Sequence, residues 1–399
     1  MANPLPPLHI RIMEQNLLGY RRVKLSLRAE RSNLCLKKRL LRRLPLFAMT
    51  LFSSFVQGFC LKVFSTSALL FLFCWLLITV LAPSAFAHPR AYITHEKSDD
   101  VWVIDTTTDT VIATVKVGKR PRGVVVSPDN KLVYVANGNS DDISVIDTAT
   151  NTVIETIPAG IDPEGIDVTH DGSRLYVVNE NAGEMRVIAM PSKVLLAIIT
   201  AGIEPETVVL SPDGRHAYVP NETSHDVTVV STATLSVVKS IKVGENPRGV
   251  AFTPDGAHAY VSNERSGTVM VIDTSSFNVV KTIAMGERPV GIAVLPNGEK
   301  AYVAHGRSND VRVIDVQTNT VTKIIPIEGE RVWWVALTPD AKKLYVTAGR
   351  SNTVAVIDTA TDSVTQMIPV GTMPWGVAVS RSEQEGRSIE YPSAAMTNF

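Results

Sequence analysis

The sequence predicts an all-β chain closed into a seven-bladed β-propeller, and three observations carry the prediction. A tyrosine recurs at Tyr92, Tyr134, Tyr176, Tyr218, Tyr260, Tyr302 and Tyr345, in steps of 42 with a final step of 43. Each period holds four short runs rich in Val and Ile, as a propeller blade needs and a helical solenoid repeat does not. The repeat region opens on the last three strands of a unit and finishes on the first strand of another, so the two ends complete one blade.

Residues 247–288 give the unit in full. The runs 249–252, 259–262, 268–272 and 279–283 are too short for helices and are made of β-branched residues. Thr253-Pro254-Asp255-Gly256 separates the first two, with Pro presetting φ and Gly supplying a positive φ for a tight reversal. Asp273-Thr274-Ser275-Ser276 separates the last two and can turn by bonding its own backbone. The unit therefore reads as a four-stranded antiparallel meander.

The proline that opens the first strand recurs at Pro121, Pro163, Pro205, Pro247, Pro289 and Pro374, with Val332 in the sixth slot, so the one extra residue falls between Asp315 and Val332. The aspartate closing the third strand recurs at Asp105, Asp147, Asp273, Asp315 and Asp358. Ala189 and Ser231 replace it in the second and third units, where a weaker turn is expected. Strand 374–379 is expected to pair with the three strands that begin near Tyr92, leaving no open edge between blades.

The strands Tyr134 to Asn137, Tyr176 to Asn179, Tyr218 to Asn221 and Tyr260 to Asn263, with Val-Ile-Asp-Thr and Ser/Thr-Pro-Asp-Gly, resemble the YVTN family of bacterial propeller repeats over all seven units. Lys119-Arg120-Pro121-Arg122-Gly123, Arg331-Val332-Trp333 and Pro374-Trp375-Gly376 are similar to periplasmic seven-repeat propellers that accompany pyrroloquinoline-quinone-dependent alcohol oxidation. That resemblance implies an exported accessory of a redox system. The chain departs from the pattern in Trp334 and in His95 and His305, which stand in the slot that holds Asn in four of the other units.

The 39 basic and 39 acidic residues balance only as a sum: residues 1–87 hold twelve Lys or Arg against two Glu, and the propeller carries the opposite excess. A basic stretch precedes the fifteen-residue apolar run 68–82, too short to span a bilayer, and Ala85-Phe86-Ala87 follows. Together they read as a secretory signal cleaved near Ala87, exporting the protein to the periplasm or beyond. An uncleaved anchor is the alternative, and Met49 is a better-placed start than Met1. The basic tail is not read as a nucleic-acid site, because the apolar run follows it directly. Residues 1–87 are thus leader, 88–380 propeller and 381–399 a tail without periodicity.

Cys35, Cys60 and Cys74 all lie in the leader, so the mature chain is expected to hold no disulfide, no thiolate site and no C-x-x-C-H haem attachment. No cofactor is expected, no metal, and no membrane span after processing.

Specificity is sought in the slots on either side of the repeating proline, which vary while the framework does not. They read Arg120 and Arg122, Asp162 and Glu164, Glu204 and Glu206, Asn246 and Arg248, Glu287-Arg288, Arg331 and Trp333, Met373 and Trp375. One sector is acidic, at blades two and three. Another combines Arg331, Trp333, Trp334 and Trp375, and is either a contact patch or a set of wedges between blades. His95 and His305 could bind a metal or carry a proton, although no H-x-H or H-E-x-x-H supports them. Glu96, Glu180, Glu222 and Glu264 follow the Asn slot and could ring a Ca²⁺ ion or face solvent.

Two function classes follow. One is an exported non-catalytic propeller, a monomer that binds a protein or small molecule at its rim. The other is a small-molecule enzyme of lactonase or lyase type working at the channel mouth, which would need convergent acid, base or metal groups there.

Overall fold

In the computed structural model, which describes residues 89–381, twenty-eight strands form seven four-stranded antiparallel sheets in a ring. The expected leader, and the tail beyond Arg381, lie outside the described residues. Among the described residues no helix is long and apolar enough to cross a membrane.

Blade seven is the composite one. Its innermost strand is β28 (Pro374–Val379), followed outward by β1 (Arg90–His95), β2 (Asp100–Asp105) and β3 (Thr110–Lys116). The register sets Ala91 against Val379, Tyr92 against Ala378 and Ile93 against Val377. Beyond β28 the Ser380 N–H donates to the Arg90 carbonyl at 2.9 Å, and Arg381 exchanges two hydrogen bonds with the Asn130 side chain.

The other innermost strands are β4 (Pro121–Val126), β8 (Pro163–Val168), β12 (Val209–Leu210), β16 (Pro247–Phe252), β20 (Pro289–Val294) and β24 (Val332–Leu337), opening blades one to six in turn. The observed strands run a residue or two beyond the apolar runs, because their polar ends still pair across the sheet: Pro247 faces Asn263 and Thr268 faces Ala284. The extra residue lies in the loop between β23 (Thr320–Pro326) and β24.

The core is a set of layers between neighbouring blades. Ala91, Ile93 and Ile104 of blade seven pack with Tyr345, Val354 and Val356 of blade six, while Tyr92, Val101 and Val103 pack with Val133, Val135 and Ile146 of blade one. Each buried side chain of this size contributes about 1.5–3 kcal/mol relative to exposure. The repeating tyrosine spans the same seam. Tyr260 Oη donates to Asn319 at 2.6 Å, Tyr302 Oη to Asp362 at 2.5 Å, and Tyr345 Oη to Asp109, a turn residue of blade seven.

Where Asp closes the third strand it caps the turn: Asp105 Oδ1 accepts from the N–H groups of Thr107 and Thr108 at 2.8 and 3.1 Å. The two exceptions do without that pair. Ser231 Oγ accepts one long bond from the Thr234 N–H at 3.3 Å, and behind Ala189 the turn closes through the Lys193 N–H to the Ala189 carbonyl at 2.7 Å.

Blade three differs in a second way, for β12 is only two residues long. The slot filled by glycine at Gly123, Gly165, Gly249, Gly291 and Gly376 holds Thr207 there. Those glycines let adjacent innermost strands approach closely: a Cβ on Gly165 would lie 2.4 Å from the Thr207 Cα, and one on Gly123 2.4 Å from the Glu164 carbonyl oxygen.

Candidate functional site

The residue after each strand-opening Pro or Val supplies one wall side chain of the channel. In ring order these are Arg122, Glu164, Glu206, Arg248, Val290, Trp333 and Trp375. Glu164, Glu206, Val290, Trp333 and Trp375 are all buried. The charged members neutralise one another across blade boundaries. Arg122 pairs with Glu164 and lies 3.6 Å from Glu96, and Arg248 pairs with Glu206, with Glu222 at 2.8 Å and with Glu264 at 2.5 Å.

The aromatic members close the circle. Val290, Trp333 and Trp375 pack together, the Arg122 guanidinium lies 5.2 Å from the Trp375 ring, and Arg248 lies 5.6 Å from the Trp333 ring. Trp334 takes the slot that is glycine in five blades and stacks on Trp375 at 5.5 Å. Gly306, where blades two to four carry Glu, makes room for Trp333, whose ring carbons would stand 3.2 Å from a Cβ there.

The rim residue before each strand is held in the left-handed region: Arg120, Asp162, Glu204, Asn246, Arg288, Arg331 and Met373 have φ between 52° and 59°. Local hydrogen bonds fix this conformation. The Arg120 N–H donates to Asp99 and the Arg331 N–H to Asn309, both at 3.1 Å, while the carbonyls of Arg120 and Arg331 accept from Gly138 and Gly349.

At blades two and three the rim is acidic. The oxygens of Asp162, Glu164 and Glu180, and those of Glu180, Glu206 and Glu222, lie within 4.8 Å of one another in each group, a spacing a hard cation accepts. Arg120 already serves the first group, pairing with Asp162 and lying 3.3 Å from Glu180 and 3.7 Å from Glu164. Burial pushes Glu164 well above the usual carboxyl range; Arg122 opposes the shift, and Glu206 and Glu180 add to it. Burial likewise pushes Glu206 up to about 7, against Arg248 and with the help of Glu222.

A raised carboxyl pKa makes the proton part of the fold. Native Glu206 keeps its proton to about 7 whereas an unperturbed Glu releases it near 4.5, so its stabilising contribution is full below 4.5 and is lost as pH rises through 7. Glu206→Gln is expected to remove that slope, of the order of 3 kcal/mol, from urea midpoints measured on either side of the window. An unchanged slope would assign the proton elsewhere.

At blades five and six the mouth is basic. A cavity of about 810 Å³ is lined by Trp333, by Arg248, Arg288, Arg307, Arg331 and Arg350, and by Glu264 and Glu330. Arg288 meets Glu264 at 2.8 Å and Arg307 meets Glu287 at 3.2 Å. Among the described residues Arg331 and Arg350 meet no carboxylate, and Arg331 lies 4.5 Å over the Trp333 ring. Burial pushes the Arg331 guanidinium below its usual value, and although Glu96 opposes this, Arg122, Arg350 and Arg248 add to it.

Of the residues singled out in the sequence, Arg122, Arg248, Trp333 and Trp375 therefore share the channel wall, Arg120 and Arg331 the rim, and Trp334 backs Trp375. His95 and His305 sit inside the blades with no exposed surface. His95 Nε2 accepts from the Gly371 N–H at 3.1 Å and Nδ1 lies 3.1 Å from Asp100, as Asn221 accepts from Gly202 and donates to Asp226. His305 lies 3.3 Å from Asp310, and burial pushes its pKa down to about 4, which keeps it neutral. Arg307 and Arg350 escaped sequence reasoning. They share a slot two residues beyond the Asn position that elsewhere holds Lys97, Asn139, Asn181, Thr223 and Arg265, so the repeat does not single them out.

A family model described as lactonase, 7-bladed beta-propeller matches residues 84–194 and 232–367, and one described as cytochrome D1 heme domain matches residues 170–293. The structure is similar to a Kuenenia stuttgartiensis hydrazine synthase chain at 22% identity, covering 66% of this chain and 96% of that one with a TM-score of 0.60. It is similar to a functionally unknown protein from Desulfotomaculum acetoxidans at 16% identity, covering 74% and 99% with a TM-score of 0.66. The dihydro-heme d1 dehydrogenase NirN in complex with DHE matches at 17% identity over 72% and 74%, with a TM-score of 0.57. These likenesses are of fold. No curated protein matches the chain. The seven wall side chains include no imidazole, thiolate or thioether, so the channel wall offers a haem iron none of its usual protein ligands.

Proposed function

The chain belongs to the family of seven-bladed β-propeller lactonases, and from that premise we propose that it is an exported binding propeller whose ligand is held at the basic side of the channel mouth by an anionic group. The observation that carries this reading is the pair Arg331 and Arg350, two guanidiniums without a carboxylate partner in a cavity whose three other arginines are each paired with a glutamate. Elsewhere in the channel each arginine has found its acid, so two left unpaired beside Trp333 give an anion a preorganised seat. An accessory role beside an exported oxidation system, as the sequence resemblance implies, belongs to the same proposal.

Titration with small organic carboxylates and inorganic phosphate, followed by tryptophan fluorescence, tests it. Saturable quenching is expected, weakened about tenfold by Arg331→Gln and by Arg350→Gln, each with the far-UV spectrum unchanged. If no anion gives a saturable change, the reading is wrong.

Lactone hydrolysis is a second reading, supported by the family and by Glu206, whose carboxyl holds a proton to about 7 beside Glu222. Ring-opening of a sugar lactone that Glu206→Gln abolishes would favour it over binding alone.

A further inference from the structure

The channel mouth carries opposite charges on two arcs. On the acidic arc, the carboxylate oxygens of Glu180, Glu206 and Glu222 converge within 4.8 Å of one another. On the basic arc stand Arg331 and Arg350, with a third feature beside them: the Trp333 side chain is only 6% exposed and its indole N–H has no acceptor. Arg248 joins the two arcs, bonded to Glu206 and Glu222 on one side and 5.6 Å from the Trp333 ring on the other.

The acidic arc is short of positive charge. Four guanidiniums serve six carboxyl groups: Arg120 is shared by Asp162, Glu164 and Glu180, Arg122 also meets Glu164, Arg248 is shared by Glu206, Glu222 and Glu264, and Arg288 also meets Glu264. Glu164 is wholly buried and its Oε2 accepts no hydrogen bond. An ammonium fits such a place. It has three N–H donors, and acceptors about 2.9 Å from a tetrahedral nitrogen stand roughly 4.7 Å apart. A divalent ion would need most of these oxygens free, whereas guanidiniums already occupy several of them.

We propose that the ligand of the mouth is a zwitterion, a small molecule bearing a primary ammonium and an anionic oxygen group a short chain apart. Its ammonium sits among Glu180, Glu206 and Glu222, and its anionic group meets Arg331 and Arg350. This rests on the anion-binding reading above and adds the second pole. Because Arg248 and Trp333 stand between the poles, the two groups must be several bonds apart, as in an ω-amino carboxylate or a short peptide.

Calorimetric titration of the propeller with unbranched ω-amino carboxylates of increasing length, beside the matched carboxylates and alkylamines, tests the pairing. At one chain length the amino carboxylate is expected to bind at least about tenfold more tightly than either matched single ion. Glu222→Gln should erase that advantage while the carboxylates still bind, and Arg331→Gln should weaken both. Glu180→Gln serves the same purpose should the first variant not fold. If the carboxylate binds as well as the amino carboxylate at every length, the ammonium pole is refuted and the anion site stands. If Ca²⁺ binds and Glu222→Gln abolishes it, while no amine competes, the acidic arc is a metal site and the inference is overturned. If nothing anionic binds, it is the anion reading that fails, and this inference with it.

Discussion

A chain that stops at Met373 is expected to lose the cooperative melt of the ring, whereas one that stops at Arg381 melts with the full-length protein. The first truncation removes β28, and with it Trp375 and Val377, both 4% exposed, together with the ladder to Ala91, Tyr92 and Ile93. It also strands the Thr94 hydroxyl, which accepts from the Gly376 N–H at 2.9 Å and donates to the Arg122 carbonyl at 2.7 Å. Single large-to-small core changes cost about 2–5 kcal/mol, and a whole domain is stable by only about 5–15 kcal/mol. Removing a strand therefore consumes most of the margin. Thermal unfolding followed by circular dichroism decides it, and a shared midpoint for all three chains would show that the ring holds without β28.

Arg248→Met is the second change with a large expected effect. The guanidinium satisfies Glu206, Glu222 and Glu264 together, so its loss leaves three carboxylates facing one another inside the channel mouth. Removing one partner of a buried ion pair costs about 3–5 kcal/mol, because the remaining charge has neither water nor counter-ion. The loss should be greatest above pH 7 and shrink in acid, where Glu206 is neutral in either protein. Adding Glu206→Gln to Arg248→Met should restore part of the stability. Urea unfolding across that range is the measurement, and equal midpoints for variant and parent at every pH would mean that the network contributes nothing.

The architecture was legible because a propeller writes itself seven times. The tyrosine spacing fixed blade number, the turn residues fixed strand order, and Pro374 without a strand-two Tyr behind it announced the clasp. The site was legible only as a set of slots. That Arg122 and Glu164 are neighbours follows from the 42-residue step, but their pairing depends on both side chains turning inward, and that of Arg120 with Asp162 on Gly138 leaving room, since Arg120 Nη1 would stand 2.9 Å from a Cβ there. His95 and His305 drew attention as imidazoles, whereas in the fold they do an asparagine's work, accepting or donating inside a blade. Arg350 was invisible because its slot holds no common residue type: Lys97, Asn139, Asn181, Thr223, Arg265 and Arg307 precede it.

The left-handed rim has an evolutionary consequence. Each non-glycine residue kept at a φ near 55° costs about 1 kcal/mol that glycine would not, and all seven rim positions are held there. None is glycine. Seven independent chances to gain stability by a single substitution stand untaken, at the positions that ring the channel entrance. Lys193, Leu235, Phe277 and Ala341 hold the same conformation in the turns joining other strands, so the cost belongs to the repeat, and what sets the rim apart is that its side chains ring the channel entrance. That placement separates two kinds of change: glycine at the rim should harden the scaffold while blunting recognition, and exchange of one side chain for another there should retune recognition at little cost to the fold.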